Sequence, residues 1–296
     1  MTKIPCVVLV YFDFDVIRTA IEALLPHRDR LSLIVVENRS SSTDTHIRPF
    51  IEQLVRDGTV ETYLLFDRNI SNNVFECVID GGHVDLTASP YVMFTDGDLL
   101  PQDDGWLTEE IQILERHPDV FACGVTLSTE NLPLAVYPAS AAWAPGGVPR
   151  EDYVEDGSGL NLLLMRTRDL RAFLAYRREH GVRFLDFEVS RFARDIAGMK
   201  WARTKRATAR HLTWDSYADV NHPYTRLKLQ QSYEETWAHD RFCGYRVLTS
   251  EGATRRLPVA KIVRGWLATA RMRLRRMRHG PSRAYEAWDW RGKAGK

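Results

Sequence analysis

The chain has 296 residues and a mass of 34.1 kDa, room for one large domain or two small ones. Hydrophobic residues make up 44% and charged residues 27%, which excludes wholesale disorder. A net charge of +1, from 40 Lys and Arg against 39 Asp and Glu, excludes an evenly basic coat for nucleic acid.

Residues 4–11 are an apolar run rich in β-branched side chains, which predicts a buried parallel strand. With one Lys before it and no small-residue cleavage site, the run reads as a first strand and not as a signal peptide. Residues 16–25 carry apolar side chains at helical spacing and stop at Pro26. Residues 31–36 are a second buried strand. Residues 46–56 are a second helix, ended by Asp57-Gly58. A third strand follows at 60–66, a helix at 72–86, and a fourth strand at 91–95. This alternation predicts an α/β fold with a mostly parallel sheet covered by helices on both faces. In such sheets ligands sit at the carboxyl ends of the strands. The polar clusters fall there: Asp13 and Asp15, Glu37-Asn38, Asp67-Arg68-Asn69 and Asp96-Gly97-Asp98.

No apolar run approaches the ~18–20 residues of a membrane span. The four cysteines, Cys6, Cys77, Cys123 and Cys243, are far apart and show no zinc-ligand spacing. Cys6 and Cys77 sit in apolar surroundings and are expected as core thiols. The expected compartment is a reducing cytoplasm.

The strongest chemical signal is Tyr91-Val92-Met93-Phe94-Thr95-Asp96-Gly97-Asp98. Two carboxylates flank a glycine at the end of an apolar strand, where both can reach one hard divalent cation. Solvated acids in a plain turn would look the same. A second signal is the run from Glu37 through Asn38 to Asp44. Glu37 can accept from a base or ribose group, and Asp44 is better placed to cap the next helix. Arg68 and Arg210 are candidates for a diphosphate, or are surface residues.

Over about the first 215 residues, these motifs in this order resemble a family 2 glycosyltransferase of the GT-A fold. The acid-rich turn Glu37–Asp44 is followed by Asn69-Ile70-Ser71-Asn72-Asn73, by Asp96-Gly97-Asp98 and by a helix start at Gly105-Trp106. Gly157-Ser158-Gly159 and the strand after it resemble the family's acceptor turn. Asp186-Phe187-Glu188, leading to Gly198 and Trp201, resembles its base-bearing helix, with Leu185 where an acid is usual. The resemblance implies a Rossmann-like, mostly parallel sheet sandwiched by helices. It implies metal-dependent, inverting sugar transfer from a nucleotide-diphosphate sugar to a glycan or lipid-linked acceptor, in bacterial-type surface glycan or glycolipid synthesis. Mn2+ or Mg2+ would be held by Asp96, Asp98 and His211. Glu37, Asn38, Arg68, Asn69, Asn73 and Asp96 would hold the nucleotide sugar. Asp186 would be the catalytic base, with Glu188 the alternative, and Gly159 and Trp143 would meet the acceptor. A base is needed because a sugar hydroxyl is a poor nucleophile until a carboxylate takes its proton.

The implied division is a catalytic domain over 1–215, with a nucleotide-sugar half to about 105 and an acceptor half to 215. A helical C-terminal extension over 216–296 carries a basic amphipathic segment at 255–283. Between Gly252 and Tyr285 there are ten basic residues and no acidic one. Ile262, Trp266, Ala270, Leu274 and Met277 share a helical face, suited to an anionic membrane surface at the inner face of the membrane or to docking on the catalytic domain. Few aromatics interleave the arginines, so nucleic-acid reading is not indicated. Two competing readings are a sugar-phosphate nucleotidyltransferase and a non-catalytic module binding nucleotide, membrane or polyanion. Against the first, Tyr11-Phe12-Asp13 stands where a Gly-rich loop would follow the first strand.

Overall fold

The computed structural model describes residues 2–135, 138–157, 159–180, 182–230, 243–254 and 256–258. The basic segment 255–283 lies outside them, except for 256–258.

The strand that opens the chain, β1 (Ile4–Val10), is buried at all seven positions, as a strand covered on both faces must be. It is followed by α1 (Phe14–Leu24), whose N-terminus is capped by Asp13 accepting from Val16 N at 3.4 Å. Next come β2 (Leu31–Glu37), a π-turn over 43–47, α2 (Arg48–Arg56) and β3 (Thr62–Phe66). The predicted helix at 72–86 is shorter than expected: α3 (Asn73–Asp80) stops at Gly81-Gly82, with Gly82 at φ +72. Then follow β4 (Tyr91–Asp96), β5 (Leu99–Pro101), α4 (Trp106–Arg116) and β6 (Val120–Leu127). Residues beyond 127 add the hairpin β7 (Val148–Pro149) and β8 (Tyr153–Glu155), then β9 (Leu163–Arg166), α5 (Thr167–His180) and α6 (Asp186–Arg191). It closes with the long β10 (Lys200–His211).

All strands belong to one sheet. Its centre is the parallel run β3-β2-β1-β4, with β6 and β10 a second parallel pair. Antiparallel β9 joins the two groups. One face is covered by α1, α2 and α4 through Ile17, Ile21, Ile51, Val55, Trp106 and Leu107. The other is covered by α3, α5 and α6 through Val74, Phe75, Phe173 and Val189. The chain therefore has the α/β sandwich that its hydrophobic runs predict.

The segment beyond 216 is not wholly helical. After α7 (Thr213–Tyr217) and α8 (Pro223–Gln230), the chain forms β11 (Gly244–Thr249), β12 (Gly252–Ala253) and β13 (Leu257–Pro258). β11 lies antiparallel on β3, with Tyr245 opposite Phe66 and Val247 opposite Leu64. The reason is a period-two pattern, in which Tyr245 and Val247 are buried and Arg246 is exposed. Of the two expected core thiols, Cys6 is fully buried and Cys77 only half-buried.

Three polar groups between residues 106 and 211 are committed to holding this part of the fold together. Glu109, 6% exposed, accepts from Lys205 N, Arg206 N and Ala207 N at 2.9–3.0 Å, and so pins the irregular stretch of β10. Arg166, 9% exposed, donates to Val120 O at 2.6 Å, to His117 O at 2.9 Å and to Leu114 O, and so supplies donors to the carboxyl end of α4. Arg203 pairs with Asp156 at 2.8 Å and donates to Gly146 O, which ties the loop before β8 to β10.

Glu110 is different. It is fully buried in α4, neither oxygen has a hydrogen-bond partner among the described residues, and burial drives its carboxyl well above the ordinary 4.5. The folded protein thus keeps a proton that the unfolded chain releases above about pH 4.5. Stability from this group is full below that pH and falls by about 1.4 kcal/mol per pH unit as pH rises, until the folded carboxyl itself ionises. Glu110→Met should raise stability at pH 7–8 and flatten that slope. Urea melts of both proteins at pH 5 and pH 8 measure it, and an unchanged pH slope would count against a neutral buried acid.

Candidate functional site

The carboxyl ends of β1, β4 and β10 meet at one place. Gly97 N donates to Leu9 O at 2.6 Å, and Leu212 N donates to Asp98 O at 2.7 Å. The glycine between the two acids is required by contact: a Cβ there would lie 2.7 Å from Val10 Cγ1 and 2.8 Å from Leu9 O. With the turn held this close, Asp98 faces the end of β10. Its Oδ2 accepts from Thr213 Oγ1 at 2.7 Å and stands 3.5 Å from His211 Nδ1. Its Oδ1 is buried and has no hydrogen-bond partner among the described residues. Asp98 and His211, 113 positions apart, are thus brought together as the resemblance implied.

An aromatic wall runs away from this pair. His211 stacks on Trp214 at 4.9 Å and 4°, Trp214 on Trp143 at 5.9 Å, and Trp143 meets Tyr217 at 5.7 Å. Tyr217 meets Tyr224 at 5.8 Å, and Tyr224 meets Phe12 at 5.9 Å. Burial, then the nearby Asp98 charge, pushes the Tyr224 hydroxyl well up. Phe12 has φ +70, a conformation costly for a bulky residue, and Ser71 and Leu162 also have positive φ. All three follow or precede strands at this end of the sheet, where strain tends to gather at sites.

The base candidate is close by. Asp96 N donates to Leu160 O at 3.1 Å, and a Cβ on the neighbouring Gly159 would lie 3.7 Å from Asp186 Oδ2. Asp186 is the first residue of α6 and accepts from Phe187 N at 2.7 Å. Burial raises its carboxyl above the usual range, which makes it a stronger base. Glu188 is also raised by burial, with Arg191 acting against the shift. The chain leading into Asp186 is fixed by Glu76 of α3, which accepts from Phe184 N at 2.7 Å and pairs with Arg177 at 3.1 Å.

Several residues expected to hold the nucleotide sugar have partners within the fold. Glu37 is 0% exposed, and its two oxygens accept from Thr43 and Tyr63. Burial raises its carboxyl to about 7. Asn38, 2% exposed, accepts from Ile70 N at 2.9 Å and donates to Ser71 O at 3.2 Å, clamping the loop after β3. Asn69 lies on that loop, half-buried, and accepts from Ser71 N at 2.8 Å. Arg68 is exposed and Asn73 is buried. Arg210 pairs with Asp215 at 2.8 Å. Thr213, Trp214, Tyr217 and Tyr224 were not singled out from sequence. Their only signal is nearness in the chain to His211.

A parallel β3-β2-β1-β4 run, an Asp-Gly-Asp turn ending β4, and a late strand that returns a histidine to that turn decide the architecture. The fold is an α/β sandwich on one mixed sheet with a parallel centre.

No protein-family model matches the chain. One uncharacterized protein of Acanthamoeba polyphaga mimivirus is 38% identical over 233 residues, 78% of this chain and 32% of that protein. A second from the same virus is 33% identical over 246 residues, 82% of this chain and 50% of that protein. The chain thus spans between about a third and a half of these curated relatives. Among solved structures, Staphylococcus aureus TarS with UDP-GlcNAc is similar at 10% identity and a TM-score of 0.46, over 80% of this chain and 71% of that one. GalNAc-T7 with UDP, GalNAc and Mn2+ is similar at 8% identity and a TM-score of 0.46, over 70% of this chain and 43% of that one. No helix among the described residues is long and apolar enough to cross a membrane.

Proposed function

We propose that the chain transfers a sugar from a nucleotide-diphosphate donor to an acceptor hydroxyl, with inversion, assisted by Mn2+ or Mg2+. The observation that carries this reading is Asp98 Oδ1, a buried acceptor without a donor, beside the imidazole of His211. An oxygen in that position is costly unless something satisfies it, and a divalent cation does so. Among the described residues no group of three or more His, Cys, Asp or Glu side chains stands at metal-binding spacing. Two protein ligands suffice for a cation that takes its remaining ligands from phosphate and water. When bound, the cation would supply positive charge where the diphosphate leaves.

The chain's own residues do the rest. Asp186, desolvated and beside Gly159, takes the proton from the acceptor hydroxyl. Trp143 offers an aromatic face on the acceptor side, held by its contacts with Trp214 and Tyr217. TarS with UDP-GlcNAc and GalNAc-T7 with UDP make uridine diphosphate sugars the first donors to try. A glycan is the acceptor class that a sugar-facing aromatic suits, and residues 1–215 with β11–β13 form the catalytic unit in this reading.

Thermal melts with a panel of nucleotide sugars, with and without Mn2+, test the proposal. A donor at 100 times its Kd adds about 2.7 kcal/mol, or roughly 5 °C or more for a chain of this size. The shift should need the metal and vanish in Asp98→Asn. A donor shift that survives both EDTA and Asp98→Asn would rule out the metal assignment.

A further inference from the structure

We infer that Thr213 fixes the tautomer of His211 and so prepares that imidazole as a metal ligand; this rests on the metal reading above. Thr213 is the first residue of α7, two positions beyond His211, and is 4% exposed. Its Oγ1 stands 2.7 Å from Asp98 Oδ2 and 3.0 Å from His211 Nδ1. A threonine hydroxyl has one proton to give, and a carboxylate can only accept. The proton therefore goes to Asp98 Oδ2. The contact with His211 is then a hydrogen bond only when Nδ1 carries the hydrogen and Thr213 accepts it. A neutral imidazole has one N–H, so Nε2 keeps its lone pair, the form in which histidine binds a cation.

The same hydroxyl also sets the spacing of the pair. Asp98 Oδ2 and His211 Nδ1 are 3.5 Å apart, bridged by Thr213 and not directly bonded. The ring is held in plane by Trp214, and the His211 carbonyl accepts from Asn131 Nδ2 at 2.9 Å. Nothing in the sequence marks Thr213, since the proton relay exists only once β10 has brought its end to β4. Thr213 is a positioning residue: it acts on the cation through Asp98 and His211.

The test reads the tautomer directly. In metal-free protein labelled with 15N-histidine, long-range 1H–15N correlation spectra should show His211 protonated at Nδ1, its signals identified by their absence from H211Q. In Thr213→Val that preference should be lost. Binding of Mn2+ alone, followed by electron paramagnetic resonance of the free ion, should weaken by roughly tenfold or more in Thr213→Val, the usual effect of losing such an outer partner. Thr213→Ser, which keeps the hydroxyl, should stay within about twofold of wild type. Wild-type His211 protonated at Nε2 would overturn the inference, and that measurement needs no variant of Thr213 to fold. Wild-type affinity in Thr213→Val, or an equal loss in Thr213→Ser, would overturn it as well. The metal reading fails separately, if wild type binds no Mn2+ or if Asp98→Asn binds it as tightly as wild type.

Discussion

Asp186→Asn should lower sugar transfer by roughly 10²–10⁴-fold, the range that positioned proton removal contributes. Donor binding should be unchanged, because the proposed mechanism assigns Asp186, next to Gly159, to the acceptor and not to the donor. The amide is isosteric and can still accept from Phe187 N through its oxygen, so α6 should start where it does now. The measurement is single-turnover transfer alongside the donor-dependent thermal shift. A variant that binds donor normally and turns over within about threefold of wild type would move the base elsewhere, with Glu188 next in line. Glu188→Gln is the matching control. It is expected to cost far less, since burial raises Glu188 too but the Arg191 charge offsets part of that rise, whereas no cation among the described residues acts against Asp186.

The largest effect on stability should come from Arg166→Met. The guanidinium serves Leu114 O, His117 O and Val120 O, and pairs with Asp169 at 3.2 Å. Removing it takes a donor from Leu114 O in the last turn of α4 and from Val120 O at the start of β6, while His117 O keeps the one from Val120 N at 3.0 Å, and a buried carbonyl left unsatisfied costs about 1–3 kcal/mol. Some will be rehydrated, so a loss of about 3–5 kcal/mol is expected, with a urea midpoint that falls at unchanged slope. Arg166→Lys can reach one of the carbonyls and should recover only part of the loss. A fall below about 1 kcal/mol for Arg166→Met would mean that water satisfies the carbonyls in the native fold.

Most of the parallel half is legible in the sequence because burial on both faces leaves little choice of residue. The seven-residue run of β1 and the stop of α1 before Pro26 need no partner to be recognised. β11 was missed for the opposite reason. Gly244-Tyr245-Arg246-Val247 is a short alternation whose meaning depends on an edge strand 180 positions earlier, and such a signal is weak by itself. At the site, the acids of the Asp-Gly-Asp turn could be found from residue type and place. Their partner His211 could be found only through the resemblance to a known family. Glu37 and Asn38 show the limit clearly. A polar residue at a strand end looks the same in sequence whether it meets a ligand or its own chain. Only the fold reveals that Thr43, Tyr63 and the backbone of residues 70–71 already occupy these two side chains.

The pairing of β11 with β3 also bears on how the chain is made. Residue 67 and residue 244 are joined by backbone and side-chain hydrogen bonds, so the edge of the parallel half is completed by a segment synthesised some 177 residues later. At usual elongation speeds that interval is on the order of ten to forty seconds. For that time the backbone of Tyr63-Leu64-Leu65-Phe66 is an open edge on a nascent chain, apolar enough to pair with another. The parallel half therefore emerges first and is covered late. Long loops of this kind slow the final closure, because their entropy is lost before the contacts form. β11 acts as a cover that arrives some 177 residues after the edge it closes, and a ribosome-associated holdase shielding residues 62–66 would protect that edge in the interval.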